Sequence, residues 1–399
     1  AEGLYKTTGQ ASAVIANPGP GSANLIPGVI TARHEGVPVL VITSQHRLGV
    51  VYPSPPTTFQ GQDQVEAFAA AVKWGAPILQ WERTAEVMRL AFREMWNGRP
   101  GPVQVDIPAP ILYEEGEESA APVRPPEAYR ASQPQASARQ IEQAVDLLAG
   151  AARPVLIPGA GADHCGAHAE IAEIAETLGC PVVPTMAGRS TIPMDHPNYV
   201  FGFGEAGITA RKEADVILVA GSRLGNLDLP YDKYWGDGGD CSLIQIDTDP
   251  GNIGVSRPIA LAIVSDAKDA LAGIAAGLKQ RGVEPKGRED LDRYQQLDRE
   301  WHEAQFSVVE SWDGPGIHPG QAIEKVGDVF GAGAIYTVDG GNTALWAYSL
   351  LPSTGPRSYH SILELGMLGT GIPSAIGAKF GEPGREVVCV TGDGAAGFN

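Results

Sequence analysis

Between residues 11 and 112 the chain alternates short apolar runs with segments whose apolar positions recur at helical spacing. Residues 13–16, 37–42 and 102–107 read as buried strands, because apolar side chains occupy both parities of each run. Residues 84–96 carry Val87, Ala91, Phe92 and Met95 on one helical stripe, and Asn97-Gly98 provides a stop. Strands apolar on both faces, alternating with helices, predict a parallel sheet covered by helices.

The pattern breaks between Tyr113 and Gln135, where an acidic stretch gives way to a proline-rich one, the composition of a linker. A second unit opens at Ser137 and Gln140, spaced as a capping box, followed by Ile141, Ala144, Val145 and Leu148. Residues 154–157, 181–183, 215–220 and 243–247 read as its strands. Residues 284–312 are charged and helix-forming around Leu291, Tyr294, Leu297 and Trp301, and read as a connector. A third unit begins near His318, with strands at 334–338 and 386–390. The expected division is 1–112, a linker 113–136, 137–280, a connector 281–315, and 316–399. The fold class expected is α/β, three doubly wound parallel-sheet domains. The first and third are expected to be incomplete, the natural polypeptide extending beyond both ends.

Composition narrows the function classes. Gly 50 and Pro 32 fall between apolar runs, which fits short loops and not disorder. The net charge of −18 argues against a nucleic-acid partner, which wants a basic face. No apolar run approaches a membrane span, so no membrane partner is expected. Cys165, Cys180, Cys241 and Cys389 are scattered without a Cys-x-x-Cys pair, so structural zinc and disulfides are not expected and a cytoplasmic location is the simplest reading.

The strongest chemical signal is Gly392-Asp393-Gly394 at the end of the last strand. It puts one carboxylate, Asp393, on the strand's lip, and the glycines let backbone approach a ligand. That suits a Mg²⁺ ion held by few protein oxygens and by a bound diphosphate. Gly341, Asn342 and Thr343 stand at another strand end, where backbone N–H groups meet phosphate oxygens readily.

Three α/β units in this order, the third carrying Gly-Asp-Gly, resemble the thiamine-diphosphate-dependent enzymes of the acetolactate synthase and 2-oxoacid decarboxylase group. The similarity runs through 18–24, 37–45 with Phe59-Gln60, 214–223, 246–250 and 365–378, and covers essentially the whole chain. It implies that the three units are pyrimidine-binding, central and diphosphate-binding. It implies thiamine diphosphate and Mg²⁺ as cofactors, a small 2-oxoacid as substrate, and a homodimer or homotetramer with the cofactor between chains. Pro20 and Asn24 would flank the pyrimidine ring. Gly341, Asn342, Thr343, Gly394 and Ala395 would hold the diphosphate, and Asp393 the metal. Leu368 would wedge the cofactor into a bent shape, with the carbonyl of Gly366 accepting from its amine. Gln45, His46, Phe59 and Gln60 would line the substrate pocket.

Several departures accompany the resemblance. The group's activating glutamate is expected upstream of Ala1 and the second metal ligand beyond Asn399, so the catalytic residue is unassigned and residues 1–399 alone are expected to lack turnover. Asn17 stands where arylglyoxylate decarboxylases carry histidine, which favours the acetolactate synthase-like branch. In the central unit, Pro158 to Ala162 offers a phosphate-binding turn, with Arg189, Arg223, Asp247 and Asp266 as nucleotide contacts by resemblance. By the same resemblance the central unit holds FAD, ADP or nothing; FAD or ADP is not favoured, and the stretch after Gly225 lacks the arginine-bearing continuation typical of the FAD-binding synthases. Plainer readings stay open: a tight turn at 18–21, a core leucine at 368, a helix cap at 342–343, an exposed loop at 59–60, and a solvated pair at His34-Glu35. The alternative function is a noncatalytic nucleotide-binding or regulatory protein that retains the fold.

Overall fold

The computed structural model describes residues 1–225, 241–353 and 355–398. It divides into two compact units, residues 1–132 with 364–383, and residues 133–363 with 384–399. Three open parallel sheets carry the architecture, as the alternating pattern predicts.

In the first unit, chain order runs α1 (Glu2–Thr8), β1 (Ser12–Ala16), α2 (Pro20–Glu35), β2 (Val39–Gln45), α3 (Gln64–Phe68), β3 (Trp74–Pro77), α4 (Thr84–Trp96), β4 (Val103–Pro108) and α5 (Ala109–Tyr113). The sheet order is β1-β2-β4-β3, all parallel. Val87, Ala91 and Met95 of α4 face Leu40, Val103 and Val105, so the helical stripe covers one side of the sheet. Val29 and Ala32 of α2 cover Val39 and Val41 on the other.

The second unit holds α6 (Ala138–Gly150), β5 (Pro154–Pro158), α7 (Ala160–His164), α8 (His168–Leu178), α9 (Glu205–Glu213), β6 (Val216–Ala220), β7 (Ser242–Asp247), β8 (Leu261–Val264), α10 (Ala267–Gln280), α11 (Arg288–Glu310), α12 (Pro319–Phe330), β9 (Ile335–Val338), α13 (Asn342–Leu350), β10 (Tyr359–Ser361), β11 (Val387–Val390) and α15 (Asp393–Ala396). One of its sheets runs β5-β6-β7-β8 and the other β10-β9-β11. The capping box forms as the spacing predicts: Ser137 accepts from the Gln140 N–H while the Gln140 side chain accepts from the Ser137 N–H. Among the described residues, no helix is long and apolar enough to cross a membrane.

Three strands escape the sequence pattern: β3, β8 and β10. All lie at sheet edges and have three or four residues. Residues 181–183 are a correction in the other direction. Val182 is buried but makes only isolated bridges to Leu156 and Tyr199, because Pro181 and Pro184 deny the ladder two N–H donors. The charged segment 284–312 is also more than a connector. Its helix α11 packs on α9, with Leu291 and Tyr294 in a core and the Tyr294 hydroxyl donating to Glu213 at 2.9 Å.

The remaining helix, α14 (Gly371–Gly381), belongs to the first unit and lies against α1. Glycines make the approach: a Cβ on Gly3 would overlap the Ser374 carbonyl oxygen, and one on Gly377 would come within 2.9 Å of the Leu4 nitrogen. Gly3→Ala is therefore expected to cost about 1–3 kcal/mol. Gly28→Ala, in the interior of α2 with open space around its Cβ, should gain about 0.5–1 kcal/mol. Urea midpoints of the two variants check the pair, and equal midpoints would contradict the close crossing.

In the second unit, burial pushes Asp298 from 3.8 up to about 6, with only a 3.3 Å bond from the Phe201 N–H and the charge of Arg299 in opposition. Between those values the folded chain binds a proton that the unfolded chain does not. Stability should fall as pH rises from about 4 to about 6, by at most about 3 kcal/mol. Asp298→Asn should remove that loss, its advantage over the parent growing through the window and then levelling. A pH-independent difference in thermal midpoint would contradict it.

Candidate functional site

Parallel α/β sheets present ligands at the C-terminal ends of their strands, where loops and helix starts leave N–H groups unpaired. In the first unit this edge is organised around Asp106, fully buried near the end of β4. Its carboxylate accepts from the Thr43 hydroxyl at 2.5 Å, from the Gln64 amide at 2.7 Å and from the Tyr52 hydroxyl. All three donors are neutral. Burial raises its pKa, and those hydrogen bonds pull against the rise.

Gln64 passes the constraint outward. Its amide nitrogen also donates to the Ser44 carbonyl at 2.9 Å, and its oxygen accepts from the Gly19 N–H at 3.3 Å. Gly19 has φ 68°, a conformation reserved for glycine, and a Cβ there would sit 2.7 Å from Cβ of Gln60. The turn before Pro20 and the loop carrying Phe59 and Gln60 are thus brought together. Pro20 and Asn24 are exposed on the first turns of α2. Phe59 is 78% exposed, in line with the plainer reading of its loop. Gln45 is buried, its amide donating to the Gln62 carbonyl at 3.0 Å and accepting from the His46 N–H at 2.9 Å. It braces the loop with both ends of its side chain. His46 is partly exposed, and its Nε2 has no protein partner among the described residues.

The first unit also contains Gly366 and Leu368. Gly366 is exposed with φ 71°, and Leu368 is partly exposed, so it is not a core leucine. The expectation of a solvated His34-Glu35 pair is corrected: Glu35 is 4% exposed and bonded to Lys6 at 3.0 Å.

The other candidates lie in the second unit, at the tips of neighbouring strands β9 and β11. Gly341, φ 79°, caps α13 through its backbone, and Asn342 and Thr343 are the first two helical residues. Neither side chain caps the helix, which removes the plain N-cap reading; the Ala344 N–H bonds the Gly341 carbonyl at 3.0 Å, and those of Asn342 and Thr343 are left as orphan donors. A Cβ on Gly392 would stand 3.4 Å from the Thr343 hydroxyl, so the two motifs adjoin. Asp393 and Gly394 are exposed, whereas Ala395 is buried. Asn399 lies outside the described residues. Among the described residues no group of three His, Cys, Asp or Glu clusters for a metal. A single exposed carboxylate beside orphan N–H donors fits a cation that takes most of its oxygens from a diphosphate and water.

The central glycines are largely occupied within the protein. The N–H groups of Gly159 and Gly161 donate to Ala220 and Gly221 at 2.9 Å each, and those of Ala162 and Asp163 to Gly159. The turn from Pro158 to Ala162 spends most of its donors on the end of β6 and on Gly159, and among the described residues the Ala160 N–H is the one left over. Arg189 is 1% exposed, clasped between the rings of Tyr348 and Tyr359 at 4.8 Å and donating to the Leu351 carbonyl at 2.5 Å. It holds the C-terminal end of α13 and is out of a nucleotide's reach. Asp266 caps α10, and Asp247 accepts from the Asp249 N–H and from Asn252. Arg223 is partly exposed, and its carbonyl accepts from Ser256 at 3.1 Å. The segment after Gly225, on which the reading against FAD rests, is outside the described residues.

Comparison with known proteins bears on this arrangement directly. Residues 1–68 match the thiamine pyrophosphate enzyme N-terminal TPP binding domain, 141–274 the central domain and 339–399 the C-terminal TPP binding domain. The chain is 31% identical over 409 residues to the acetolactate synthase isozyme 3 large subunit of Escherichia coli, covering 100% of this chain and 69% of that protein. The chain belongs to the thiamine-diphosphate-dependent enzymes of the acetolactate synthase group. It is also 29% identical to a probable acetolactate synthase large subunit of Methanococcus aeolicus, over 100% of this chain and 68% of that protein. For the acetolactate synthase large subunit of Corynebacterium glutamicum the figures are 30%, 99% and 62%. The chain therefore spans about two thirds of the length of these thiamine-diphosphate enzymes.

Sequence reasoning missed Asp106, Tyr52 and Gln64 in the first unit. One signal was available: Asp106 is a carboxylate inside the apolar run 103–107, where only a satisfied polar group survives burial. Gln64→Glu should place a second carboxylate against Asp106 and destabilise the chain by about 2 kcal/mol or more near neutrality. The cost should shrink towards pH 4.5, where one of the two carboxyls takes up a proton. Thermal midpoints at pH 4.5 and 8 read this, and equal losses at both would contradict the direct contact.

Proposed function

We propose that the chain carries out acetolactate synthase-like chemistry, the carboligation or decarboxylation of a small 2-oxoacid, with thiamine diphosphate and Mg²⁺. The observation that carries the reading is the adjacency of Thr343 and Gly392 at the tips of β9 and β11, with Asp393 exposed beside them. When bound, thiamine diphosphate supplies a carbon nucleophile and an electron sink next to the substrate carbonyl.

The residues then divide the work. The first N–H groups of α13 hold phosphate oxygens, aided by the positive end of the helix. Asp393 gives the cation one charged oxygen. Gly366 offers its carbonyl and Leu368 an apolar contact, while Pro20 and Asn24 flank the pyrimidine. The loop bearing Gln60, braced through Gly19 and Gln64, gives the 2-oxoacid a fixed wall. Assembly as a homodimer or homotetramer is supported by Ile372, Ile376 and Phe380, which recur every fourth residue as an exposed apolar stripe on α14.

Asp393→Ala is expected to weaken thiamine diphosphate binding at least tenfold in the presence of Mg²⁺, and to abolish the gain that Mg²⁺ gives the parent. Titration calorimetry with and without Mg²⁺ measures both. Unchanged affinity would mean that Gly392-Asp393-Gly394 is a turn and nothing more, and would favour the noncatalytic reading.

A further inference from the structure

Glu35 is a buried carboxylate for which neither the sheet nor the proposed chemistry has a use. It closes α2, at the far end of that helix from Pro20 and Asn24. One oxygen accepts from Lys6 Nζ at 3.0 Å and the other from the backbone N–H of Glu364 at 3.2 Å. Lys6 is itself buried and pairs with Glu2 at 2.8 Å. Burial works against the charge on Lys6, but Glu2 and Glu35 together hold it above the ordinary lysine range. Lys6 therefore keeps Glu2 as a partner when Glu35 is removed.

The Glu364 N–H opens the stretch that leads through Gly366 and Leu368 into α14. Two glycines in that stretch take left-handed backbone, Gly366 at φ 71° and Gly369 at φ 87°, in turns that glycine alone adopts without strain. Upstream the stretch leaves β10 at Ser361, and downstream it is held by the crossing of α14 on α1. Between those anchors, the Glu35 carboxylate is a buried, charge-assisted hold on a backbone amide, the stronger kind of hydrogen bond.

We infer that Glu35 is a positioning residue, which fixes residues 364–370 so that the Gly366 carbonyl and the Leu368 side chain are set before a cofactor arrives. This rests on the reading of that stretch as cofactor-cradling. The ordering itself is a property of the unliganded chain. Removing it means that binding must first recruit the ordered form, so affinity falls by the fraction ordered.

Hydrogen exchange of the unliganded protein, followed on peptides spanning 359–371, tests the ordering without any cofactor. Glu35→Met keeps the volume, removes the acceptor and leaves Lys6 with Glu2. It should raise exchange across 362–370 at least tenfold, while peptides covering β2 and β4 keep their protection. Glu35→Gln restores an acceptor and should return exchange to near the parent rate. Parental exchange in Glu35→Met, or loss of protection spreading equally through β2 and β4, would overturn the inference. Calorimetry with thiamine diphosphate then separates the two levels. If the parent fails to bind it, the functional reading falls and the exchange result stands. If the parent binds it and Glu35→Met binds equally well, positioning is refuted.

Discussion

Asp106 sets the constraint from which the first unit's functional edge follows. A carboxylate fully buried near a strand end, with no cation against it, survives only if neutral donors converge on it. Thr43, Tyr52 and Gln64 come from three separate segments, and meeting Asp106 fixes where each of them lies. Gln64 then reaches Gly19, and the tight contact of Gly19 with Gln60 closes the chain of restraints. Residues with a proposed part in binding are therefore located by residues with none.

The second unit solves the same problem with cations and rings. Arg189 stands at the C-terminal end of α13, where a positive charge complements the helix, and two tyrosine faces take the place of a carboxylate partner. The opposite end of α13 is left with orphan N–H groups and neighbours Gly392. A rigidly held helix whose start faces the strand tips is what an anion site at β9 and β11 requires, and the glycine turn after β5 has spent most of its donors elsewhere.

Much of this could be read from the residues. Apolar runs gave strands at sheet centres and edges alike, the four-residue β11 included, while β3, β8 and β10 were missed. The motifs at 341–343 and 392–394 were visible as strand ends rich in glycine. Their adjacency was not, since it depends on β9 and β11 being neighbours. The polar restraints were least legible. Glutamine and tyrosine at 64 and 52 look like surface residues until the buried Asp106 is placed between them. Glu35 was misread for the same reason, because a charge at a helix end is ordinarily solvated, and only its pairing with Lys6 and the Glu364 amide explains its burial.

A structure of the protein with thiamine diphosphate and Mg²⁺ tests the central assignment most directly. Phosphate oxygens should lie against the first turn of α13, within hydrogen-bond reach of the Asn342 and Thr343 N–H groups, with the cation on Asp393. A diphosphate seated on the turn at 158–162, or a cation that leaves Asp393 untouched, would contradict it.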